Sequence, residues 1–178
     1  MLDKPTPPDH ELNLSDDVEE VTDRFYKEGW TDGLPVIPPT AERVERMLAG
    51  MPWRGADDMI GVVPPGMGRA TLRRIAVNAV MAGCRPEYLP VIVAALQAVL
   101  EPVYGLAHRQ TTTHAGAPLM IVNGPLVKTL GINYGNGLFG PGWRSNATIG
   151  RALRLVLINL GGALPAGGAF SPHRPPRQ

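Results

Sequence analysis

Leu89-Pro-Val-Ile-Val-Ala-Ala-Leu-Gln-Ala-Val-Leu100 is the stretch whose reading decides the fold. It is apolar almost all round, and Pro86 just ahead of it has the fixed φ and missing N–H that suit a first helical position. A bilayer span needs about 20 apolar residues, so this run is too short to cross a membrane and reads as a helix buried on most sides. The rest of the chain is expected to wrap around it.

Upstream, Thr71–Ala82 has a helical pattern with Leu72, Ile75, Ala76, Ala79 and Val80 on one side, and Gly83 ends it. Asp58–Pro64 reads as a short buried strand closed by Pro64-Pro65-Gly66. Thr40 is placed to cap a helix with Val44, Met47 and Leu48 inward and Gly50 as its stop. Before it, Leu34-Pro-Val-Ile-Pro-Pro39 is held extended by its prolines. A first helix is expected from a Ser15 cap to about Trp30, with Val18, Val21, Phe25 and Tyr26 as its buried stripe.

Downstream, Ala107–His114 reads as a polar loop and Pro118–Val122 as an apolar strand ending in Asn123-Gly124-Pro125. A helical turn over Leu126–Leu130 precedes the glycine-rich run Gly131–Ser145, which feeds a last helix over Asn146–Leu160. That helix packs through Ile149, Leu153, Val156, Leu157 and Leu160. These elements predict a single α/β domain over residues 15–162, mainly helical, with a few short buried strands around Ile60 and Ile121. A mixed α+β arrangement is the alternative. Residues 1–14 read as a flexible leader and 163–178 as a disordered Pro/Gly/Arg tail.

Composition narrows the function. The single cysteine, Cys84, excludes an internal disulfide framework and a four-cysteine zinc site. No apolar run follows the polar, proline-containing start, so neither a secretory signal nor a membrane partner is expected and the compartment reads as cytoplasmic. The formal net charge of +1 hides a division. Up to Glu101 there are 16 acidic and 10 basic residues, a balance of −6, and beyond it seven basic residues and no acidic one. That split suits an acidic half covering a basic half in the same fold or in a twin subunit, or a basic half that binds an anion. Scattered cations without an aromatic platform argue against nucleic acid.

Several residues are candidates for chemistry. The glycines of Gly131–Gly142 let backbone amides approach a ligand, and the following helix start adds a positive dipole end. Gly135, Asn136, Gly137, Arg144 and Asn146 are therefore candidate binding residues for a small anionic substrate, with Asp32 as a further candidate. The spacing matches neither a Walker loop nor a dinucleotide fingerprint. Asn123, at a strand end, and Cys84, between a helix stop and a helix start that could lower its pKa, are the candidate catalytic residues. The bland alternatives are a tightly packed loop, a core cysteine and amides fixed by structural hydrogen bonds, the last being the reading for Asn78. His108 and His114 are spaced without ligand geometry, and a metal site would have to borrow Asp32, Asp57 or Asp58, so no metal is expected. No cofactor is indicated.

Four stretches carry a resemblance: Trp30-Thr-Asp-Gly-Leu-Pro-Val-Ile-Pro-Pro-Thr40, Ala76-Val-Asn-Ala-Val-Met-Ala-Gly-Cys-Arg-Pro-Glu-Tyr-Leu-Pro90, Ile121-Val-Asn-Gly-Pro125, and Gly140-Pro-Gly-Trp-Arg-Ser-Asn-Ala-Thr-Ile-Gly-Arg-Ala-Leu-Arg154. Over roughly residues 18–162 the chain resembles bacterial proteins found beside, or fused to, the UGSC-like domain, named for its selenocysteine/cysteine-Gly-Ser-Cys motif. The resemblance implies a partner that supplies a reactive thiol or selenol. This chain would then be one subunit of a thiol- or selenol-dependent two-component enzyme, the alternative being an assembly subunit with no active site of its own. Beyond Gly162 it departs from the family and reads as a shortened member.

Overall fold

The computed structural model describes residues 14, 17–112 and 114–162. Among the described residues seven helices and two strands follow one another: α1 (Val18–Glu28), α2 (Ala41–Leu48), β1 (Met59–Val63), β2 (Gly68–Thr71), α3 (Leu72–Met81), α4 (Leu89–Leu100), α5 (Leu106–Thr111), α6 (Leu126–Thr129) and α7 (Arg144–Asn159). Short 3₁₀ turns at Pro86–Tyr88 and Pro102–Tyr104 flank α4. The expected class holds: a mainly helical α/β fold.

Local chemistry starts and stops these helices. Thr40 and Thr71 each accept a hydrogen bond from the amide three residues on, Arg43 at 3.4 Å and Arg74 at 3.3 Å. At α1 the cap is Asp17, whose carboxylate accepts from Glu19 and Glu20 at 2.8 and 3.4 Å. Ser15, the expected cap, lies outside the described residues, as do 1–13 of the leader and the whole of the tail. Only half of the expected α1 stripe is inward: Val21 and Phe25 are buried, whereas Val18 and Tyr26 face solvent because α1 touches the body along a narrow seam.

The core joins three helices. Leu72, Ile75, Ala76 and Ala79 of α3, Leu89, Ile92 and Leu96 of α4, and Ala152, Leu155 and Val156 of α7 are fully buried. α3 packs between α7 and α2, and α4 packs on α7, α3 and β1. Each leucine, isoleucine or valine among them stabilises the fold by about 1.5–3 kcal/mol relative to exposure, and each alanine by less. The centre is thus shared between α3, α4 and α7, and α4 keeps a solvent strip of Ala94, Gln97 and Ala98. Among the described residues no single helix is long and apolar enough to cross a membrane.

The strands depart from expectation. β1 pairs antiparallel with β2, a strand the sequence hides, with Val62 opposite Arg69 and Val63 opposite Gly68. Of β1 only Val63 is buried, so this is a surface hairpin and not a buried strand. Its turn closes the end of α7: the Gly66 and Gly68 amides donate to the Gly161 and Leu160 carbonyls at 2.9 and 3.1 Å. A Cβ at Gly68 would run into the Leu160 backbone, which is why glycine stands there.

Two further segments are corrected. Along the expected strand Pro118–Val122 the side chains from Leu119 on alternate between exposed and partly buried, but the segment pairs with no other strand among the described residues. The expected loop at 107–114 is largely helix α5, anchored by buried Leu106. Arg109 fastens it, donating to the Tyr104 carbonyl at 2.7 Å and lying 4.7 Å over the Tyr104 ring.

Candidate functional site

The glycine-rich segment is tied down by two side chains in the first turn of α7. Ser145, 1% exposed, donates from Oγ to the Gly131 carbonyl at 2.7 Å. Asn146 donates from Nδ2 to the carbonyls of Asn133 (2.8 Å) and Leu138 (3.2 Å), and its Oδ1 accepts the Asn133 amide at 2.9 Å. Asn133 extends the lacing by donating to the Asn136 carbonyl at 3.0 Å and accepting the Gly135 amide at 3.0 Å. Gly137 and Gly142, at φ 72° and 108°, make the turns that the other L-residues rarely adopt. Ser145 was not among the sequence candidates. Its signal is only a small hydroxyl where the glycine-rich run meets the last helix.

With its inner edge fixed, the segment presents its large side chains outward: Tyr134 is 71%, Phe139 82% and Trp143 47% exposed. The N-cap position of α7 is Trp143, whose indole can donate but not accept, so α7 has no side-chain cap. The Arg144, Ser145 and Asn146 amides find no acceptor among the described residues. Those amides are donors left open at the positive end of α7.

Arg144 points elsewhere with most of its fork. Its Nε and Nη2 both donate to the Gly83 carbonyl, at 3.0 and 2.7 Å, just past the end of α3, where a cation suits the negative helix end. Cys84 lies next to that anchor, buried, and its thiol donates to the Thr148 carbonyl at 3.2 Å. The expectation of a lowered thiol pKa is reversed. Burial pushes it up to about 11, against smaller opposing effects of the Thr148 hydrogen bond and the Arg144 and Arg151 charges.

Asp32 is bound by the chain itself. Arg151, two turns along α7 from Arg144, grips both carboxylate oxygens at 2.8 Å and also donates to the Pro35 carbonyl at 2.8 Å. Burial raises the Asp32 pKa, but the Arg151 hydrogen bonds and charge, with the backbone amides, outweigh it and hold the carboxyl below its usual value. Asn123 is exposed and makes no hydrogen bond to the α7 cluster among the described residues. Asn78 follows its structural reading: buried, it donates to the Arg74 carbonyl at 2.9 Å and accepts from Asn159 at 2.7 Å.

The fold therefore gathers Gly135, Asn136, Gly137, Arg144 and Asn146 at one end of α7, with Cys84 beside the Arg144 anchor, while Asp32 pairs with Arg151 farther along α7 and Asn123 joins none of these hydrogen bonds. A shallow recess farther along α7 is lined by Pro118, Met120, Gly150, Leu153, Arg154 and Leu157, none of them a predicted site residue. No group of three or more metal-ligating side chains occurs among the described residues. No protein-family model matches the chain, and neither the curated proteins nor the solved structures contain a match.

Proposed function

We propose that this chain is the subunit of a two-component thiol- or selenol-dependent enzyme that receives its nucleophile from a Cys/Sec-Gly-Ser-Cys partner. The observation that carries the reading is the rigidly laced loop whose three aromatic side chains stand in solvent, since exposed aromatics on a fixed scaffold are the usual anchors of a protein interface. Support for an external nucleophile comes from Cys84, the one cysteine of the chain, which is buried with its thiol held protonated. The resemblance of the four sequence stretches to UGSC-associated proteins supplies the chemistry of the partner.

In this reading the first-turn amides of α7 and the Nη1 of Arg144, which has no partner among the described residues, hold a small anionic substrate group beside the docked partner. A second reading, an assembly subunit without a site of its own, is favoured by the way Asp32, Asn146 and two Arg144 nitrogens are already committed to the fold. Purifying the chain with a Cys/Sec-Gly-Ser-Cys protein tests the docking common to both. Phe139→Ser with Trp143→Ser should weaken that complex by at least about tenfold. A complex indifferent to both changes removes the loop from the interface. Activity of the reconstituted pair that is unchanged in Arg144→Ala favours the assembly reading.

A further inference from the structure

Pro118-Leu-Met-Ile-Val122 is apolar on both faces, a pattern that belongs to a strand covered on both sides. The described residues cover only one. Met120 and Val122 turn inward against the core, while Leu119 and Ile121 are 69% and 82% exposed. The backbone is unfinished in the same way: from Leu119 to Asn123 no amide or carbonyl has a hydrogen-bond partner among the described residues. An extended, apolar segment with an unpaired backbone is a template for another strand.

Charge indicates what kind of strand fits. Arg154 shares the recess with Pro118 and Met120 and has no carboxylate partner among the described residues. No acidic residue follows Glu101, so nothing in this half of the chain can supply one. A second copy pairing through the same segment would set two such acid-free halves against each other. We infer that Pro118–Val122 accepts a β-strand from a partner protein, by strand addition, with acidic residues flanking that strand and pairing with Arg154. Main-chain bonds supply the attachment and the flanking carboxylates supply the selectivity.

The inference goes beyond the loop-docking reading and stands or falls separately, because a peptide replaces the partner in its test. The probe is a capped peptide of about nine residues, alternating Val and Thr in the middle with Asp and Glu at the ends, alongside a Lys-flanked counterpart. At about 1 mM peptide, hydrogen exchange of the alternate amides on the pairing edge of 119–123 should slow at least tenfold with the acidic probe and little with the basic one. Arg154→Gln should erase the difference between the probes. Ile121→Pro and Val122→Pro each delete one unpaired donor on opposite edges; one of them should abolish protection, and Ile121→Thr should keep it.

No slowing by the acidic probe, or equal slowing by both, overturns the inference. So does protection of these amides without peptide, whether in a monomer, which would mean pairing within the chain, or in a concentration-dependent dimer, which would mean pairing with a second copy.

Discussion

Arg151 and Asp32 are joined by two parallel hydrogen bonds of 2.8 Å across 119 positions of sequence, with only 20% and 16% of their side-chain surfaces exposed. This contact links the acidic half of the chain to the basic half and fixes the extended Leu34–Pro39 segment on α7. Removing one member leaves the other charge poorly solvated, so Arg151→Ala should cost about 3 kcal/mol of unfolding free energy in urea. The carboxyl pKa is lowered in the folded state, so its stabilisation is present above the unfolded value near 3.8 and is lost as pH falls through the lower folded value. Asp32→Asn should be less stable than the parent at neutral pH, and the gap should narrow on acidification. A constant gap would mean that the pair is not what holds the segment.

Cys84 has the opposite sign. Its folded pKa is raised from 9.0 to about 11, so the protonated thiol contributes stability below pH 9 that is lost as pH rises through 11. Cys84→Ala should show a shallower decline over that interval. At pH 8 alkylation by iodoacetamide should run roughly a hundredfold slower than for an ordinary thiol, because the thiolate fraction falls by about that factor. Rapid labelling of the folded protein would place Cys84 back among the nucleophile candidates.

Ser145 and Asn146 hold the glycine-rich loop through hydrogen bonds to Gly131, Asn133 and Leu138. Ser145→Ala should cost about 1 kcal/mol, and Asn146→Ala about 2–3 kcal/mol, because it breaks several bonds at once. The informative reading is local: amide exchange over 131–140 should accelerate more than exchange in α3 or α4. A uniform change would mean that the two side chains matter to the core and not to the loop.

Much of the helical frame is legible in the sequence because its causes are local. Thr40, Thr71 and Pro86 announce helix starts, and Ile149, Leu153, Val156 and Leu157 repeat at the spacing that α7 buries. β2 is hidden because Gly68-Arg-Ala-Thr71 lacks a β-branched alternation and is held by pairing with β1 and by the carbonyls of α7. α5 is hidden because Leu106 alone anchors it and its polar residues show no period. At the site, the clustering near Asn146 follows from chain adjacency. The links Arg144 to Gly83 and Cys84 to Thr148 span 61 and 64 positions and have no sequence signature, so the structural commitments of Arg144 and Cys84 could not be read in advance.

Arg144 offers the sharpest separation between an anion site and a purely structural anchor. Lysine keeps the charge but cannot place two donors on the Gly83 carbonyl, so Arg144→Lys should lose about 1 kcal/mol by thermal or urea unfolding. If the first-turn amides and Nη1 also hold an anion, inorganic phosphate at fixed ionic strength should raise the melting temperature of the parent, because a ligand that binds only the folded state stabilises it. The same phosphate should do less for Arg144→Lys and nothing for Arg144→Ala. Equal responses in all three proteins would assign Arg144 to the fold alone and leave the exposed aromatics as the functional part of the loop.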